Sequence, residues 1–118
     1  MSYVNLIYRI VFSIKECKPF LTEAPESRLH EYIGGMIRSR KGIGLAINGT
    51  EDHVRVLAKL RQDKALSDVI RDFKAGASGW LHDVFPSLED FGWQEGYGAF
   101  TVSASQVERV RQYIANQK

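Results

Sequence analysis

Between positions 3 and 13 the apolar residues Val4, Leu6, Tyr8, Ile10 and Phe12 alternate with Asn5, Arg9 and Ser13. A period of two sends successive side chains to opposite faces, so this segment reads as a β-strand with one buried face. Over 26–41 the period lengthens: Leu29, Tyr32, Ile33, Met36 and Ile37 recur at helical spacing, with Arg28, Glu31, Arg38 and Arg40 left for solvent. Gly34-Gly35 inside this helix costs about 1 kcal/mol per glycine relative to alanine, which points to close packing against the sheet. Ile43 to Ile47 and Val54 to Leu60 read as two further strands, and Asn48-Gly49 between them predicts a tight hairpin turn. From Ser67 to Phe85 a second helix carries Val69, Ile70, Phe73, Ala77, Trp80, Leu81 and Val84 as its apolar stripe. Ser67 is its expected N-cap, Asp68 suits its first turn, and Pro86 marks its end. Tyr97 to Val102 returns as a strand, and Ser105 with Glu108 has the spacing of a capping box opening a last helix.

The order strand, helix, strand, strand, helix, strand, helix predicts an α+β fold. Its architecture is a ferredoxin-like antiparallel sheet, βαββαβ, with helices on one face and an added C-terminal helix. At 118 residues, without a linker, repeat or low-complexity tract, positions 1–118 are expected to form a single domain. A domain of this size buries about two thirds of the surface of its unfolded chain, so dimerisation is a natural supplement to its core. The net charge of +2 permits a polyanionic partner without demanding one. A lone cysteine, Cys17, excludes an internal disulfide framework and a multi-cysteine zinc site. No apolar run reaches the roughly 18 residues of a membrane span, and the N-terminus lacks the features of a signal peptide, so a cytoplasmic location is expected.

Alternation along the third strand places Val54, Val56, Ala58 and Leu60 toward the core. His53, Arg55, Leu57 and Lys59 take the other face, next to Glu51 and Asp52. A histidine among cations and carboxylates suits a phosphate or a metal ion, although such residues also occur on solvated sheet faces. In the last helix Val107, Val110 and Ile114 form the apolar stripe. At about 100° per residue, Tyr113 and Gln117 stand about 40° apart beside that stripe and face one cleft.

Over nearly its whole length the chain resembles the single-tyrosine transposases of small bacterial insertion sequences and their REP-associated relatives, within the HUH nuclease superfamily. The segments that carry the likeness are "SYVNLIYRIVFS", "EYIGGMIRS", "EDHVRVL", "WQEGYGAFTVS" and "VRQYIANQ". In that family the third strand carries histidine, a bulky hydrophobic residue and a second histidine, and the last helix carries a nucleophilic tyrosine with a glutamine four residues later. The resemblance therefore implies Tyr113 as nucleophile and His53 and Gln117 as ligands of a divalent ion, magnesium or manganese. It implies hairpin-bearing single-stranded DNA as substrate, cut through a 5′-phosphotyrosine that a free 3′-hydroxyl later reseals. It also implies a homodimer whose active sites join the histidine strand of one subunit to the tyrosine helix of the other, without any membrane association.

Arg55 departs from this pattern, because it stands where the family has its second histidine. A guanidinium stays protonated and offers no lone pair to a cation, so the ion is expected to bind weakly or not at all and strand cleavage to be weak or absent. Its planar fork could bind phosphate directly and preserve DNA binding more readily than cutting. Gln117, one residue from the end of this sequence at Lys118, is expected in a terminal turn that frays. An inactive relative that binds hairpin DNA or an intact transposase is the competing expectation, and a small-anion-binding ferredoxin-like dimer a third. Lys59, Arg61, Lys64, Arg71 and Lys74 suit either a phosphate track or a solvated surface, and Trp93 and Tyr97 either base stacking or packing around a glycine-rich turn. Trp80 is expected in the core, and His30 and His82 at the surface or at helix ends.

Overall fold

The alternation in the first segment forms β1 (Asn5–Ser13), and Tyr8, Ile10 and Phe12 are buried as the pattern demands. The structure, a computed structural model, describes residues 5–61 and 65–116. After β1 come α1 (Glu23–Ser39), β2 (Ile43–Thr50), β3 (His53–Arg61), α2 (Leu66–Val84), β4 (Gly98–Thr101) and α3 (Val107–Ala115). The strands pair antiparallel in the order β2-β3-β1-β4, which is the sheet expected from the sequence.

One face of the sheet carries Ile10, Phe12, Val54, Val56 and Ala58 into a single cluster with Leu29, Ile33 and Ile37 of α1 and Ile70, Phe73 and Leu81 of α2. Trp80 packs at the edge of this cluster, stacked on Tyr32 with ring centroids 5.0 Å apart. The close approach expected at Gly34-Gly35 is not found there: Gly34 is buried, but an added Cβ would meet Ile47 Cδ1 on β2 at an ordinary 3.7 Å, and its nearest neighbour, at 3.4 Å, is Arg38 Nη1 of the same helix. A tighter approach occurs at Gly76 of α2, where a Cβ would sit 3.0 Å from Met36 Cε and 3.2 Å from the Tyr32 hydroxyl of α1. Helix α3 lies on the opposite face of the sheet. Leu57 and Ile114 are both fully buried and stand outside the main cluster, so α3 closes a small second core of its own.

Three further local expectations are corrected. Asn48-Gly49 does not turn: β2 continues to Thr50, Thr50 pairs with His53, and the chain reverses over Glu51-Asp52. Gly49 is needed inside the strand, because a Cβ there would run into the His53 carbonyl oxygen, and Asn48 is engaged by α3. Ser67 does not cap α2, whose N-cap is Ala65 with no side-chain bond; the helix starts one residue before that serine. Nor do Ser105 and Glu108 form a capping box. Residues Ala104–Gln106 make a 3₁₀ turn, Ser105 Oγ meets Ser103 Oγ at 3.2 Å, and Glu108 accepts two bonds from Arg111 at 3.0 Å each. An arginine one turn away outcompetes the backbone N–H groups for this carboxylate.

Candidate active site

The tight turn at Glu51-Asp52 brings the start of β3 back beside the end of β2, and three side chains converge there. His53 Nδ1 lies 3.0 Å from Asp52 Oδ1 and 2.7 Å from Thr50 Oγ1, while the Thr50 hydroxyl donates to Asp52 Oδ1 at 2.8 Å. All three contacts are satisfied when the imidazole proton sits on Nδ1 and is shared between the two oxygens. Those bonds hold the Asp52 carboxyl below the usual carboxylate range, the His53 contact contributing most and Thr50 next. The consequence falls on the far nitrogen. His53 Nε2 carries the lone pair, is shielded from solvent and has no hydrogen-bond partner among the described residues. A carboxylate on one imidazole nitrogen and a free lone pair on the other is the orientation a metal-binding or phosphate-facing histidine requires.

Two residues along β3, on the same face, Arg55 reaches toward α3. Its Nη1 donates to the Tyr113 hydroxyl at 3.3 Å, and the guanidinium carbon lies 5.7 Å from the centre of the tyrosine ring. Tyr113 is 51% exposed, so its phenol faces solvent with a cation behind it. What holds α3 here is the strand beneath: Asn48 Nδ2 donates to the carbonyls of Ile114 at 3.1 Å and Ala115 at 3.0 Å. These lie in the last turn of α3, where carbonyls lack intrahelical partners. Because Asn48 pairs with Arg55 across β2 and β3, the residue that seats the helix and the residue that meets the tyrosine are neighbours on one face.

A family model described as IS200-like transposase matches residues 2–117. The chain belongs to that family. Two solved structures share the fold of this IS200-like protein. A candidate transposase from Deinococcus radiodurans R1 superposes with a TM-score of 0.80 at 21% identity, covering 99% of this chain and 95% of that one. A REP-associated tyrosine transposase solved with a REP hairpin gives a TM-score of 0.69 at 16% identity, over 97% of this chain and 67% of that one. Among proteins of curated function, none matches the chain significantly.

Against the family's expected ligand set, the described residues of this IS200-like chain do not complete a divalent-ion site. From β3 they supply one imidazole lone pair, and the second position is a guanidinium. Gln117, the third expected ligand, lies outside the described residues. Among the described residues no group of three or more His, Cys, Asp or Glu side chains is placed to hold a metal ion.

The remaining candidates divide between the two faces. Register places Lys59 and Arg61 on the Arg55 face of β3, whereas Arg71 and Lys74 belong to α2 on the opposite face; Lys64 lies outside the described residues. Lys74 is engaged in structure: its ammonium donates to the carbonyls of Gln94 at 2.8 Å and Gly96 at 2.7 Å, and Trp93 Nε1 donates to the Lys74 carbonyl at 3.0 Å. Trp93 also meets Phe12 and Phe91 edge-on, so the pair staples the 93–96 loop to α2. His82 lies exposed near the end of α2 with Nε2 2.9 Å from the Phe91 carbonyl, and no described helix is long and apolar enough to cross a membrane. The roles of Asn48, whose Asn-Gly pair has the chemistry of a turn, and of Thr50 are not apparent from the sequence. The only signal for Thr50 was its place two residues before Asp52.

Proposed function

We propose that the chain recognises hairpin-bearing single-stranded DNA through the Tyr113 face, that Tyr113 is its nucleophile, and that Arg55 keeps strand cleavage weak. The observation that carries this reading is the bond from Arg55 Nη1 to the Tyr113 hydroxyl. The hairpin-bound relative supports DNA as the ligand, and family membership supports transposition chemistry. In that chemistry the Tyr113 oxygen forms a bond to phosphorus and the P–O3′ bond breaks. The phenol proton passes to solvent, the departing 3′-oxygen takes one up, and nothing is oxidised or reduced.

Arg55 affects this step in two opposed ways. It places permanent positive charge beside the phenol, where a phosphate would be attracted. It also occupies a lone pair of the oxygen that must attack, and it removes a ligand of the magnesium or manganese ion that the family constellation implies. Binding is thereby favoured over cutting, and His53 is left as an imidazole oriented by Asp52 and Thr50.

The seat of α3 on its own strand supports a cis site. A homodimer with exchanged tyrosine helices requires the Asn48 bonds and the Ile114 seat to be remade on a partner. Mixing His53→Ala with Tyr113→Phe chains distinguishes the two arrangements, since only exchange rebuilds an intact site. The cytoplasm is the proposed place of action.

The test is a gel-shift assay with a single-stranded oligonucleotide that folds into a hairpin, followed by denaturing electrophoresis for a covalent adduct. A strong shift with a faint adduct that disappears in Tyr113→Phe is the expected result. A shift with no adduct in any condition favours the second reading, a binding protein that does not cut, for which Arg55 is again the specific observation. No shift at all removes DNA from the account and leaves the small-anion dimer.

A further inference from the structure

Strand β4 lies at the edge of the sheet, and its register with β1 pairs Phe100 with Arg9 and Gly98 with Val11. Arg9 is paired on its other side with Leu57, so Phe100, Arg9 and Leu57 share the face that carries Arg55 and Tyr113. Helix α3 covers Leu57 but leaves Phe100 55% exposed. The Arg9 guanidinium carbon lies 5.0 Å from the centre of the Phe100 ring. Toward Arg55 the next β4 residue on this face is Gly98, which carries no side chain, and an added Cβ there would already touch Phe100 Cε2 at 3.8 Å and Val11 Cβ at 3.9 Å. The ring therefore leans over a shallow, open part of the sheet between the β4 edge and the tyrosine.

The strand residues of this face carry charge of one sign. The described strand residues on it include Arg9, Arg55, Lys59 and Arg61 and no carboxylate. Edge strands normally carry charge at exposed positions, and an exposed phenylalanine flanked by a cation is an unusual way to finish a sheet edge. An aromatic ring with an adjacent guanidinium is suited to a flat π-surface bearing a phosphate.

From Phe100 we infer a stacking platform for one unpaired nucleobase of single-stranded DNA adjoining the hairpin, with Arg9 meeting its phosphate. This rests on the functional reading above and deepens it by assigning a path to the strand. From strand spacing and rise, the Phe100 and Arg55 backbones are roughly 12 Å apart, so a short single-stranded tract stacked on Phe100 leads its next phosphates to Tyr113. The platform positions the tract and takes no part in bond making.

Fluorescence anisotropy with two labelled DNA hairpins tests this, one blunt and one carrying a short single-stranded tail. Wild-type protein is expected to prefer the tailed hairpin, Phe100→Ala to lose about tenfold in affinity for it while binding the blunt hairpin as before, and Phe100→Trp to restore the preference. Abasic substitution within the tail should reproduce the Phe100→Ala loss in the wild-type protein at one position. A tail preference untouched by both Phe100→Ala and abasic substitution overturns the platform and leaves the functional reading intact. Failure of wild-type protein to bind either hairpin overturns the functional reading, and the platform with it. A concentration-dependent dimer that dissociates in Phe100→Ala, with no change in tail binding, assigns the face to a second copy of the chain and also overturns the platform.

Discussion

Asn48→Ala isolates what holds the tyrosine helix on the sheet. A helix as short as α3, Val107–Ala115, is not stable in isolation, so it persists through docking. Burial of Ile114 contributes about 1.5–3 kcal/mol to that docking. The two bonds from Asn48 Nδ2 contribute a net ~0.5–1.5 kcal/mol each. The Ala115 bond is at the surface, where water replaces it on opening, so the low end, about 0.5 kcal/mol, applies to it and the middle, about 1 kcal/mol, to the part-buried Ile114 bond, and the pair is worth about 1.5 kcal/mol. Losing it should raise the open fraction of α3 about tenfold. Native-state hydrogen exchange reads this directly: amides of 111–115 should exchange about tenfold faster in Asn48→Ala, while amides of 54–60 in β3 keep their protection. Asn48→Asp should be worse, because it loses the donor and sets a carboxylate against the negative end of the helix. Adduct formation should fall with the docked fraction, with hairpin affinity nearly unchanged. Unchanged exchange in 111–115 in both variants would refute the argument that Asn48 seats the helix.

Two further predictions concern the frame. Gly76→Val should lower stability by about 1–3 kcal/mol, because its side chain must displace the Met36 methyl and the Tyr32 hydroxyl, whereas Gly76→Ala gains helix propensity and comes out near neutral in urea unfolding. Burial holds the His30 imidazole below its usual pKa of 6.5, and its Nε2 has no partner among the described residues. The unfolded chain therefore takes up this proton first as the pH falls. The stability tied to His30 is complete above about 6.5 and declines below it until the folded pKa is reached. His30→Leu should show a shallower loss of urea midpoint between neutral and mildly acidic pH than the parent protein, and equal slopes would contradict the assignment.

The fold was legible in the sequence because its two periods, of two and of 3.6 residues, are kept wherever a face meets the core. Tyr8, Ile10 and Phe12 on β1 and Leu29, Ile33 and Ile37 on α1 are buried as their spacing requires. Local motifs were less dependable, because the same residue types serve several purposes. Asn48-Gly49 has the chemistry of a hairpin turn, yet the amide is used by a helix 66 residues away and the glycine by the strand crossing beside it. Glu108 has the spacing of a capping box, and Arg111 takes it instead. At the candidate site, His53, Arg55 and Tyr113 were nameable from sequence, but their mutual distance depends on where α3 settles. No pattern along the chain announces that long-range placement.

The direct test of the central claim, that Arg55 separates DNA recognition from strand cleavage, is the rate of Tyr113-dependent adduct formation on a single-stranded hairpin substrate. Parent protein and Arg55→His are compared with and without manganese. Arg55→His should bind the hairpin equally or more weakly, but its adduct rate should rise well above the parent's only when manganese is present. An arginine form that already reacts as fast as the manganese-loaded histidine variant would contradict that claim.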